Sequence, residues 1–273
     1  MHLKTLLAGL SLRSATADME TEITRISYDS RTTAPGDVFV AMTGFATDGH
    51  AYIGKAVAAG AAAVVCERPP EDSSVPYVLV ENSRRALAVM AANYYGHPAD
   101  SMTMVAVTGT NGKTTTTYLL KAILEQELGA KVGLIGTNQD LIGDEVVPTE
   151  RTTPESLELQ ELFARMRSAG CTHVVMEASS HALALDRVYG IHYAVGIFTN
   201  LTQDHLDFHK TMEAYCDAKA RTATWASATP TIPGQSGCCK TPHVGSTSMQ
   251  STPRQTCGRS ISPLRRTTSP SMR

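Results

Sequence analysis

The chain has 273 residues, of which 42% are apolar, and it carries a formal net charge of −2. This composition is typical of a globular protein with one large domain or two, and its balanced charge excludes an electrostatic case for nucleic acid or an anionic membrane as a partner. No apolar run is long enough to span a bilayer, residues 1–18 are too polar for a signal peptide, and the six cysteines lack zinc-type spacing, so we expect a cytoplasmic protein.

Residues 1–98 contain short apolar strands that alternate with helical segments. Strands are predicted at 37–42, 62–67 and 77–81, and helices at 52–60 and 83–95, the second of them capped by Ser83. Gly96 and Pro98 end that helix, so we predict a domain boundary there. Cys66 and Cys171 lie beside apolar segments and are expected to be buried thiols.

A second unit, residues 99–221, repeats the alternation of strand and helix. Strands are predicted at 102–108, 131–136, 172–178 and 194–199, and helices from the loop after the first strand to about 128, at 154–169 and at 212–221. Pro154 is placed in the first turn of its helix. The pattern predicts an α/β protein, with a small N-terminal α/β domain followed by a parallel-sheet domain covered on both faces.

The turn between the first strand and the first helix of this second unit has the chemistry of a phosphate-binding loop. Its sequence is Thr108-Gly-Thr-Asn-Gly-Lys-Thr-Thr115. N–H groups at a helix N-terminus attract an anion, the lysine adds a positive charge, and the threonine after it can hold Mg²⁺. We therefore predict that a nucleoside triphosphate is bound by Gly109, Thr110, Asn111, Gly112, Lys113, Thr114 and Thr115. Val107 replaces the first glycine of the usual pattern, and an ordinary strand–turn–helix is the alternative.

Polar side chains also follow the next strand of the second unit. Glu177 comes directly after an apolar run and could hold Mg²⁺ opposite the phosphate loop; the alternative is a solvated carboxylate at a strand end. Ser179 and His181 follow at once, which could suggest a nucleophile and its base. Residues so close in sequence rarely present that geometry, so we set nucleophilic catalysis aside.

Two histidines and a lysine complete the candidate residues. His205 and His209 have the spacing of a zinc pair on one helical face, but no third ligand accompanies them. A single histidine that serves a divalent ion beside the nucleotide fits better. Lys219 lies on the last predicted helix, where composition alone favours a solvated surface charge.

Four segments together resemble the Mur ligases, the ATP-dependent amide-forming enzymes of peptidoglycan synthesis. They are residues 108–115, 177–183, 199–207 and 215–219. Residues 29–31, 35–37, 48–50 and 151–154 further resemble the branch of that family that adds the third amino acid to the UDP-MurNAc dipeptide. The resemblance covers residues 20–221. Folylpolyglutamate synthetases share the phosphate loop and a histidine motif, but not this first domain.

The resemblance implies an ATP- and Mg²⁺-dependent ligase of the cytoplasm, acting as a monomer in cell-wall synthesis and so in cell shape and division. It would join meso-diaminopimelate to UDP-MurNAc-L-Ala-D-Glu through an acyl phosphate. Lys113, Glu177, His205 and Lys219 would be catalytic, the last as N6-carboxylysine, and Thr114, Glu177 and His205 would hold Mg²⁺. The UDP-linked dipeptide would be bound by Ser30, Thr152, Thr153, Ser179 and Arg187. An L-lysine-adding ligase, a non-catalytic nucleotide-binding fragment and a folylpolyglutamate synthetase relative remain alternatives.

The composition changes sharply after Arg221. Residues 222–273 hold none of the 26 acidic residues, but carry six Lys or Arg and 19 Ser or Thr. The family continues beyond this point, with more strands and a third domain that binds the amino acid. We therefore predict that residues 222–273 are a disordered tail read out of frame, that the sheet keeps an uncovered edge, and that this chain does not complete ligation.

Overall fold

The computed structural model describes residues 1–44, 47–224 and 226–228, and in these residues the chain forms two β-sheets with helices packed against them. Of the predicted tail, residues 222–273, the part from 229 to 273 lies outside the described residues. Strand–helix alternation in both halves confirms the predicted α/β fold class. Each sheet falls on one side of residue 98, and the domain bounds 1–98 and 99–221 stay a prediction.

The first sheet has the strand order β1-β5-β4-β3-β2. Its strands are β1 (Leu12–Ala15), β2 (Ile26–Ser27), β3 (Val38–Val40), β4 (Ala63–Cys66) and β5 (Tyr77–Val80). β2 to β5 run parallel, whereas β1 pairs antiparallel with β5. The sequence predicted β3, β4 and β5; β1 and β2 were missed because neither has a repeated apolar pattern. The Cys66 and Cys171 thiols are buried, as expected.

Three helices accompany this sheet: α1 (Leu3–Leu6), α2 (Ile53–Ala58) and α3 (Ser83–Tyr95). The predicted cap of α3 is wrong by one residue. The Asn82 side chain accepts a hydrogen bond from the Arg85 N–H at 2.9 Å, while the Ser83 hydroxyl donates to Glu67 at 2.8 Å. Asparagine is as good an N-cap as serine, so tertiary contacts decide between the neighbours. Gly96 ends the helix in the left-handed conformation, with φ 69°.

The second sheet has the order β12-β11-β6-β10-β7-β8-β9. Its strands are β6 (Thr103–Thr108), β7 (Val132–Ile135), β8 (Asp140–Ile142), β9 (Glu145–Val147), β10 (His173–Glu177), β11 (Tyr193–Phe198) and β12 (Ala226–Ala228). The five strands from β12 to β7 are parallel, as predicted for β6, β7, β10 and β11 but not for β12, whereas β7, β8 and β9 pair antiparallel. This hairpin was not predicted. Its signal is Gly143-Asp144, a two-residue turn between short apolar pairs, with Gly143 at φ 63°.

The helices of the second unit are α4 (Lys113–Leu128), α5 (Ser156–Ser168), α6 (Ser180–Ala184), α7 (Leu206–His209) and α8 (Met212–Thr224). α4 packs on one face of the sheet, while Leu159, Phe163 and Met166 of α5 enter the apolar cluster on the other. The predicted start of α5 is wrong, because Glu155 is its extended N-cap and Pro154 precedes the helix. No helix in the described ranges is long and apolar enough to cross a bilayer.

The structure continues past the predicted break at Arg221. α8 ends at Thr224, and β12 then pairs parallel with β11, with Tyr193 opposite Ala226. The edge of β11 is therefore covered, and the expectation that the tail leaves it uncovered is wrong at this strand. Three residues of strand suffice because they only have to extend an existing ladder.

Candidate active site

The carboxyl ends of the central parallel strands bring the predicted polar residues to one edge of the sheet. Val107 of β6 is in register with Glu177 of β10, and Thr108 with Phe198 of β11. The Thr108 hydroxyl donates to the Ala178 carbonyl at 2.7 Å, which ties the ends of β6 and β10 together. Ligands of open parallel sheets bind at this edge, where strand ends and helix N-termini meet.

The phosphate loop depends on the closeness of Gly109 to the segment after β11. Gly109 has φ 141°, and a Cβ atom at this position would lie only 1.9 Å from Thr199 Oγ1. The Thr199 hydroxyl in turn donates to the Asn111 carbonyl at 2.7 Å. Only glycine fits both the conformation and the space, so this residue fixes the path of the loop.

The segment after β11 also holds the phosphate loop in place through hydrogen bonds. The Thr110 N–H donates to the Asn200 carbonyl at 2.9 Å, and the Asn111 N–H donates to Asn200 Oδ1, also at 2.9 Å. Asn200 Nδ2 donates back to the Asn111 carbonyl at 3.0 Å, and the Thr202 N–H donates to Thr110 Oγ1 at 3.0 Å. The loop is thereby held in one shape before a ligand arrives. Sequence reasoning identified residues 199–207 as a family segment but missed Thr199, Asn200 and Thr202 as supports of the loop.

The N-terminus of α4 is open to an anion. Gly112 is its N-cap in the left-handed conformation and offers no side chain to the first N–H groups of the helix. Lys113 Nζ donates to the Gly109 carbonyl at 3.0 Å and to the Thr110 carbonyl at 2.9 Å, so its charge lies over the loop. Thr114 is half-buried and Thr115 exposed in the same turn. Free N–H donors, the positive end of a helix dipole and a lysine together fit a polyphosphate.

Lys219 reaches the same carbonyl group from the opposite side. It is 2% exposed, and its Nζ donates to the Gly109 carbonyl at 2.7 Å while lying 4.6 Å from the centroid of the Tyr215 ring. The interpretation of Lys219 as a solvated surface charge is therefore wrong. The cause is α8, which turns this residue inward under the phosphate loop.

The environment of Lys219 changes its protonation. Burial and, to a smaller extent, the charge of Lys113 lower the pKa of the amine to about 7, while Asp204 opposes both. Burial disfavours the charged form of a lysine, and a second cation at the same carbonyl acts in the same direction. Near neutral pH a large share of Lys219 therefore carries a free electron pair, which makes it a nucleophilic amine.

Glu177 is fully buried at the end of β10, so its interpretation as a solvated strand-end group is wrong. Its carboxylate accepts hydrogen bonds from the Thr137 N–H at 3.0 Å and from the Thr137 hydroxyl at 3.2 Å. Gly136 leaves the room for this side chain, because a Cβ atom there would lie 2.6 Å from Glu177 Oε1. Sequence reasoning missed Thr137, which follows β7 in a short polar turn.

Most of the predicted dipeptide-binding residues surround this carboxylate. The Thr152 and Thr137 hydroxyls are 3.0 Å apart, and the Thr153 hydroxyl donates to the Glu177 carbonyl at 2.8 Å. The Ser179 N–H donates to Thr153 Oγ1 at 3.1 Å, and Arg187 Nη1 donates to the Thr153 carbonyl at 3.1 Å. These four predicted residues are therefore joined in one network.

Ser30 lies apart from that network, in the turn after β2 of the first sheet. Its neighbours Asp29 and Arg31 form an ion pair of 2.6 Å, which holds the turn in shape. Within the described residues, no hydrogen bond or ion pair joins Ser30 to the other predicted residues, so its assignment stays a prediction.

His205 belongs to an aromatic cluster beside the loop. The His181 ring centroid lies 4.9 Å from that of His205 and 5.7 Å from that of His209, and the His209 ring lies 5.1 Å from that of Tyr215. Burial, with the nearby His181 adding to it, lowers the pKa of His209 to about 4; burial and His205 also lower the pKa of His181. His181 and His209 therefore favour the neutral imidazole near physiological pH.

The described side chains contain no group of three or more His, Cys, Asp or Glu that is arranged to hold a metal ion. Mg²⁺ differs, because it is usually held by one or two protein groups together with phosphate oxygens and water. A buried carboxylate beside a phosphate loop fits that ion.

The lysine-bearing loop at the carboxyl edge of a parallel sheet defines a nucleotide-binding protein of the phosphate-loop class. Residues 107–229 match the family model described as Mur ligase middle domain, and residues 22–95 match that described as Mur ligase family, catalytic domain. The chain belongs to the Mur ligase family.

Two relatives of similar sequence have the same protein name. The UDP-N-acetylmuramoyl-L-alanyl-D-glutamate--2,6-diaminopimelate ligase of Clostridium tetani (strain Massachusetts / E88) is 50% identical over 223 residues, which are 80% of this chain and 46% of the relative. The ligase of the same name from Bacteroides fragilis (strain ATCC 25285 / DSM 2151 / CCUG 4856 / JCM 11019 / LMG 10263 / NCTC 9343 / Onslow / VPI 2553 / EN-2) is 46% identical over 223 residues, 81% of this chain and 46% of the relative.

A solved structure of a ligase with that name aligns with a TM-score of 0.67 at 25% identity, over 84% of this chain and 46% of that chain. The chain thus spans about half the length of the relatives it matches. The family match ends at residue 229, eight residues beyond the predicted limit at Arg221. α8, which ends at Thr224, and β12, which ends at Ala228, both end between residues 222 and 229.

Proposed function

We propose that this chain serves an ATP-dependent peptide ligase reaction that joins a diamino acid to UDP-MurNAc-L-Ala-D-Glu in peptidoglycan synthesis. The observation that carries the proposal is the meeting of Lys113 and Lys219 at the Gly109 carbonyl, 3.0 and 2.7 Å away. Lys113 brings a positive charge that suits a polyphosphate, and Lys219, whose pKa is lowered to about 7 in the same place, brings a reactive amine. A purely structural turn has no use for a buried amine with a lowered pKa.

The reaction has two steps, and the described residues would serve the first. A carboxylate oxygen of the dipeptide attacks the γ-phosphorus of ATP, the bond to ADP breaks, and an acyl phosphate forms. The incoming amine then attacks the acyl carbon, phosphate leaves, and the amine loses a proton. Lys113 and the N–H groups of residues 109–115 would hold the phosphates in line, since positioning and charge neutralisation are what phosphoryl transfer requires.

The ion-binding residues proposed are Thr114, Glu177 and His205. Bound Mg²⁺ would supply charge neutralisation between the phosphate groups. Glu177 suits it through its buried carboxylate, which Thr137 holds in place by two hydrogen bonds. His205 adopts a left-handed conformation with φ 52°, which is uncommon for a residue with a side chain and points to a constrained role.

Thr152, Thr153, Ser179 and Arg187 would bind the muramoyl dipeptide, and Ser30 the uridine part. The names of the relatives favour diaminopimelate over L-lysine as the incoming amino acid. We place the reaction in the cytoplasm, with the chain as a monomer. The product feeds the cell wall, and through it cell shape and division.

We further propose that Lys219 is carboxylated by dissolved CO₂. The neutral amine attacks the carbon of CO₂, an N–C bond forms as one C=O π bond opens onto its oxygen, and one proton passes from nitrogen to solvent, so a neutral amine becomes an anionic carbamate. With ¹³C-labelled bicarbonate we expect a carbamate carbon resonance that weakens as pH falls through about 7 at constant dissolved CO₂, because the protonated amine lacks the electron pair. Lys219→Arg should abolish the resonance.

The matched control for the carbamate is Lys121→Arg. Lys121 is also buried, but it is ion-paired with Glu125 on the same helix. The resonance should persist in this variant. A signal that survives in Lys219→Arg would contradict the assignment of the carbamate to this lysine.

The proposed function is tested by calorimetric titration of the 273-residue chain with ATP plus Mg²⁺ and with UDP-MurNAc-L-Ala-D-Glu. Binding of both ligands supports the proposed function. A chain that failed to bind ATP, or failed to bind the UDP-linked dipeptide, would contradict it. A non-catalytic nucleotide-binding fragment is the second candidate, since the phosphate loop with Lys113 by itself requires only nucleotide binding. Ligation assays with diaminopimelate and with lysine separate the two, since a fragment binds without turnover. The match over residues 22–95 disfavours a folylpolyglutamate synthetase relative.

A further inference from the structure

One carboxylate in the molecule is shared by three arginines from different parts of the fold. Glu155 is largely buried, with 8% of its side chain exposed. Arg187 Nε lies 2.8 Å from Glu155 Oε1, Arg151 Nη1 lies 3.2 Å from the same oxygen, and Arg84 Nη1 lies 3.6 Å from Oε2. Arg84 belongs to α3 of the first sheet unit, whereas the other two lie in loops of the second.

The charges in this cluster do not balance. Three guanidinium groups face a single carboxylate, and two of them are mostly buried, with 15% of the Arg84 and 14% of the Arg187 side chain exposed. Asp186 lies next to Arg187 in sequence, but its carboxylate pairs with Arg85 and Arg221 instead. A buried excess of positive charge is costly unless an anion compensates it.

Arg84 in particular has unused donors. Its Nε donates to the Thr43 carbonyl at 3.2 Å, but its Nη1 is buried and has no hydrogen-bond partner among the described residues. The 3.6 Å ion pair with Glu155 is too long to count as a hydrogen bond. Buried donors are rarely left unpaired, and an unpaired one calls for a specific explanation. An acceptor that arrives with a ligand would supply it.

The cluster adjoins the proposed dipeptide site. Arg187 Nη1 donates to the Thr153 carbonyl at 3.1 Å, and the Thr153 hydroxyl donates to the Glu177 carbonyl at 2.8 Å. Arg187 therefore has one nitrogen on the substrate network and another on Glu155. Burial, together with the charges of Arg151 and Arg84, lowers the pKa of Arg187, while Glu155 opposes this. One further anion at this point would relieve the same repulsion.

We propose that Arg84 is a substrate-binding residue, which together with Arg187 binds a carboxylate of the UDP-linked dipeptide, and that Glu155 positions both guanidinium groups. This inference rests on the proposed function. It adds a contact from the first sheet unit to a site otherwise built from the second. Arginine suits this role, because its planar fork matches a carboxylate with two parallel hydrogen bonds.

The test compares ligands that differ by one charge. Calorimetric titrations use UDP-MurNAc-L-Ala-D-Glu, the two analogues in which either D-glutamate carboxylate is an amide, and UDP alone. For Arg84→Gln we expect about 10- to 100-fold weaker binding of the parent ligand, the range typical of a hydrogen bond to a charged group. The variant should bind one amide analogue as the wild type does, because its partner carboxylate is already absent.

The control is Arg85→Gln, on the same helix. Arg85 pairs with Asp186 at 3.0 Å and is about half exposed, so we expect parent-ligand binding close to wild type. Arg84→Lys keeps the charge and should recover part of the affinity. Urea unfolding of each variant separates loss of folding from loss of a contact.

The outcomes distinguish this inference from the function on which it rests. If the wild-type chain binds none of the UDP-MurNAc ligands, both fail. If the wild type binds them but Arg84→Gln weakens all ligands equally, or weakens none, the inference alone is overturned. A loss that persists with UDP alone would assign Arg84 to the diphosphate and would equally overturn the carboxylate assignment.

Discussion

Replacing Lys113 by alanine is expected to weaken ATP binding by about 100-fold, which corresponds to the upper range for hydrogen bonds to a charged group. Lys113 Nζ lies over the phosphate loop, 3.0 Å from the Gly109 carbonyl and 2.9 Å from the Thr110 carbonyl. The substitution removes the cation and leaves two carbonyl dipoles pointing at the space a phosphate would occupy. Titration calorimetry with ATP plus Mg²⁺ measures the change.

The matched control for this prediction is Lys131→Ala. Lys131 precedes β7, at the amino edge of the same sheet, and its Nζ donates to the Ala169 carbonyl at 2.9 Å. ATP affinity should stay close to wild type in this variant, which separates a local contact from the loss of one positive charge. If Lys113→Ala bound ATP within a few-fold of wild type, the loop would not be the phosphate site. Binding of the UDP-linked dipeptide should persist in Lys113→Ala, which shows that the chain remains folded.

The phosphate loop was predictable because its chemistry is local. A strand, a glycine-rich turn and a lysine at a helix start follow one another along the chain, so adjacency in sequence gives adjacency in space. Glu177 was also predicted to lie opposite the phosphate loop. It follows a strand, and parallel strands bring their carboxyl ends to one edge of the sheet. Thr137 escaped prediction for the opposite reason. It is an ordinary threonine in a turn, and only the pairing of β7 with β10 brings it onto Glu177.

Lys219 marks the limit of what sequence reasoning gives. Its burial depends on how α8 packs against the loop 110 residues earlier, and no local pattern records that contact. The resemblance to the Mur ligases singled the residue out, whereas composition favoured the solvent. The three-arginine cluster at Glu155 is of the same kind. Its members are far apart in the sequence, and each taken singly is a common surface residue.

Some strands of the fold were predicted from the sequence and others were missed. Strands with three or more apolar residues in succession, such as β6 and β10, were found with bounds within one residue or two. The short β8–β9 hairpin was missed, because its apolar residues occur only in pairs, too few for periodicity to detect. β12 was missed because its residues, Ala226–Ala228, read as part of a polar tail, and their strand conformation comes from the pairing partner β11. Tertiary pairing overrides weak local preference in such segments.

Replacing Glu155 by glutamine is expected to lower the free energy of unfolding by about 3–5 kcal/mol, the usual cost of removing one partner from a buried ion pair. The amide keeps the shape of the side chain but leaves the guanidinium groups of Arg84 and Arg187 facing each other, with Arg151 half exposed at the rim. Urea unfolding at neutral pH measures the loss. Added salt should recover part of it, because screening weakens the repulsion between the arginines.

The control for this stability prediction is Glu145→Gln. Glu145 pairs with Arg165 at 3.2 Å, but 62% of its side chain is exposed, and exposed ion pairs contribute only about 0–1 kcal/mol. A loss below about 1 kcal/mol in Glu155→Gln as well would mean that solvent already screens the cluster. The same result would weaken the case for a carboxylate subsite, because a screened cluster holds no excess positive charge for a substrate anion to neutralise. A large, salt-sensitive loss of unfolding free energy in Glu155→Gln but not in Glu145→Gln would instead show that the excess positive charge lies at the three arginines.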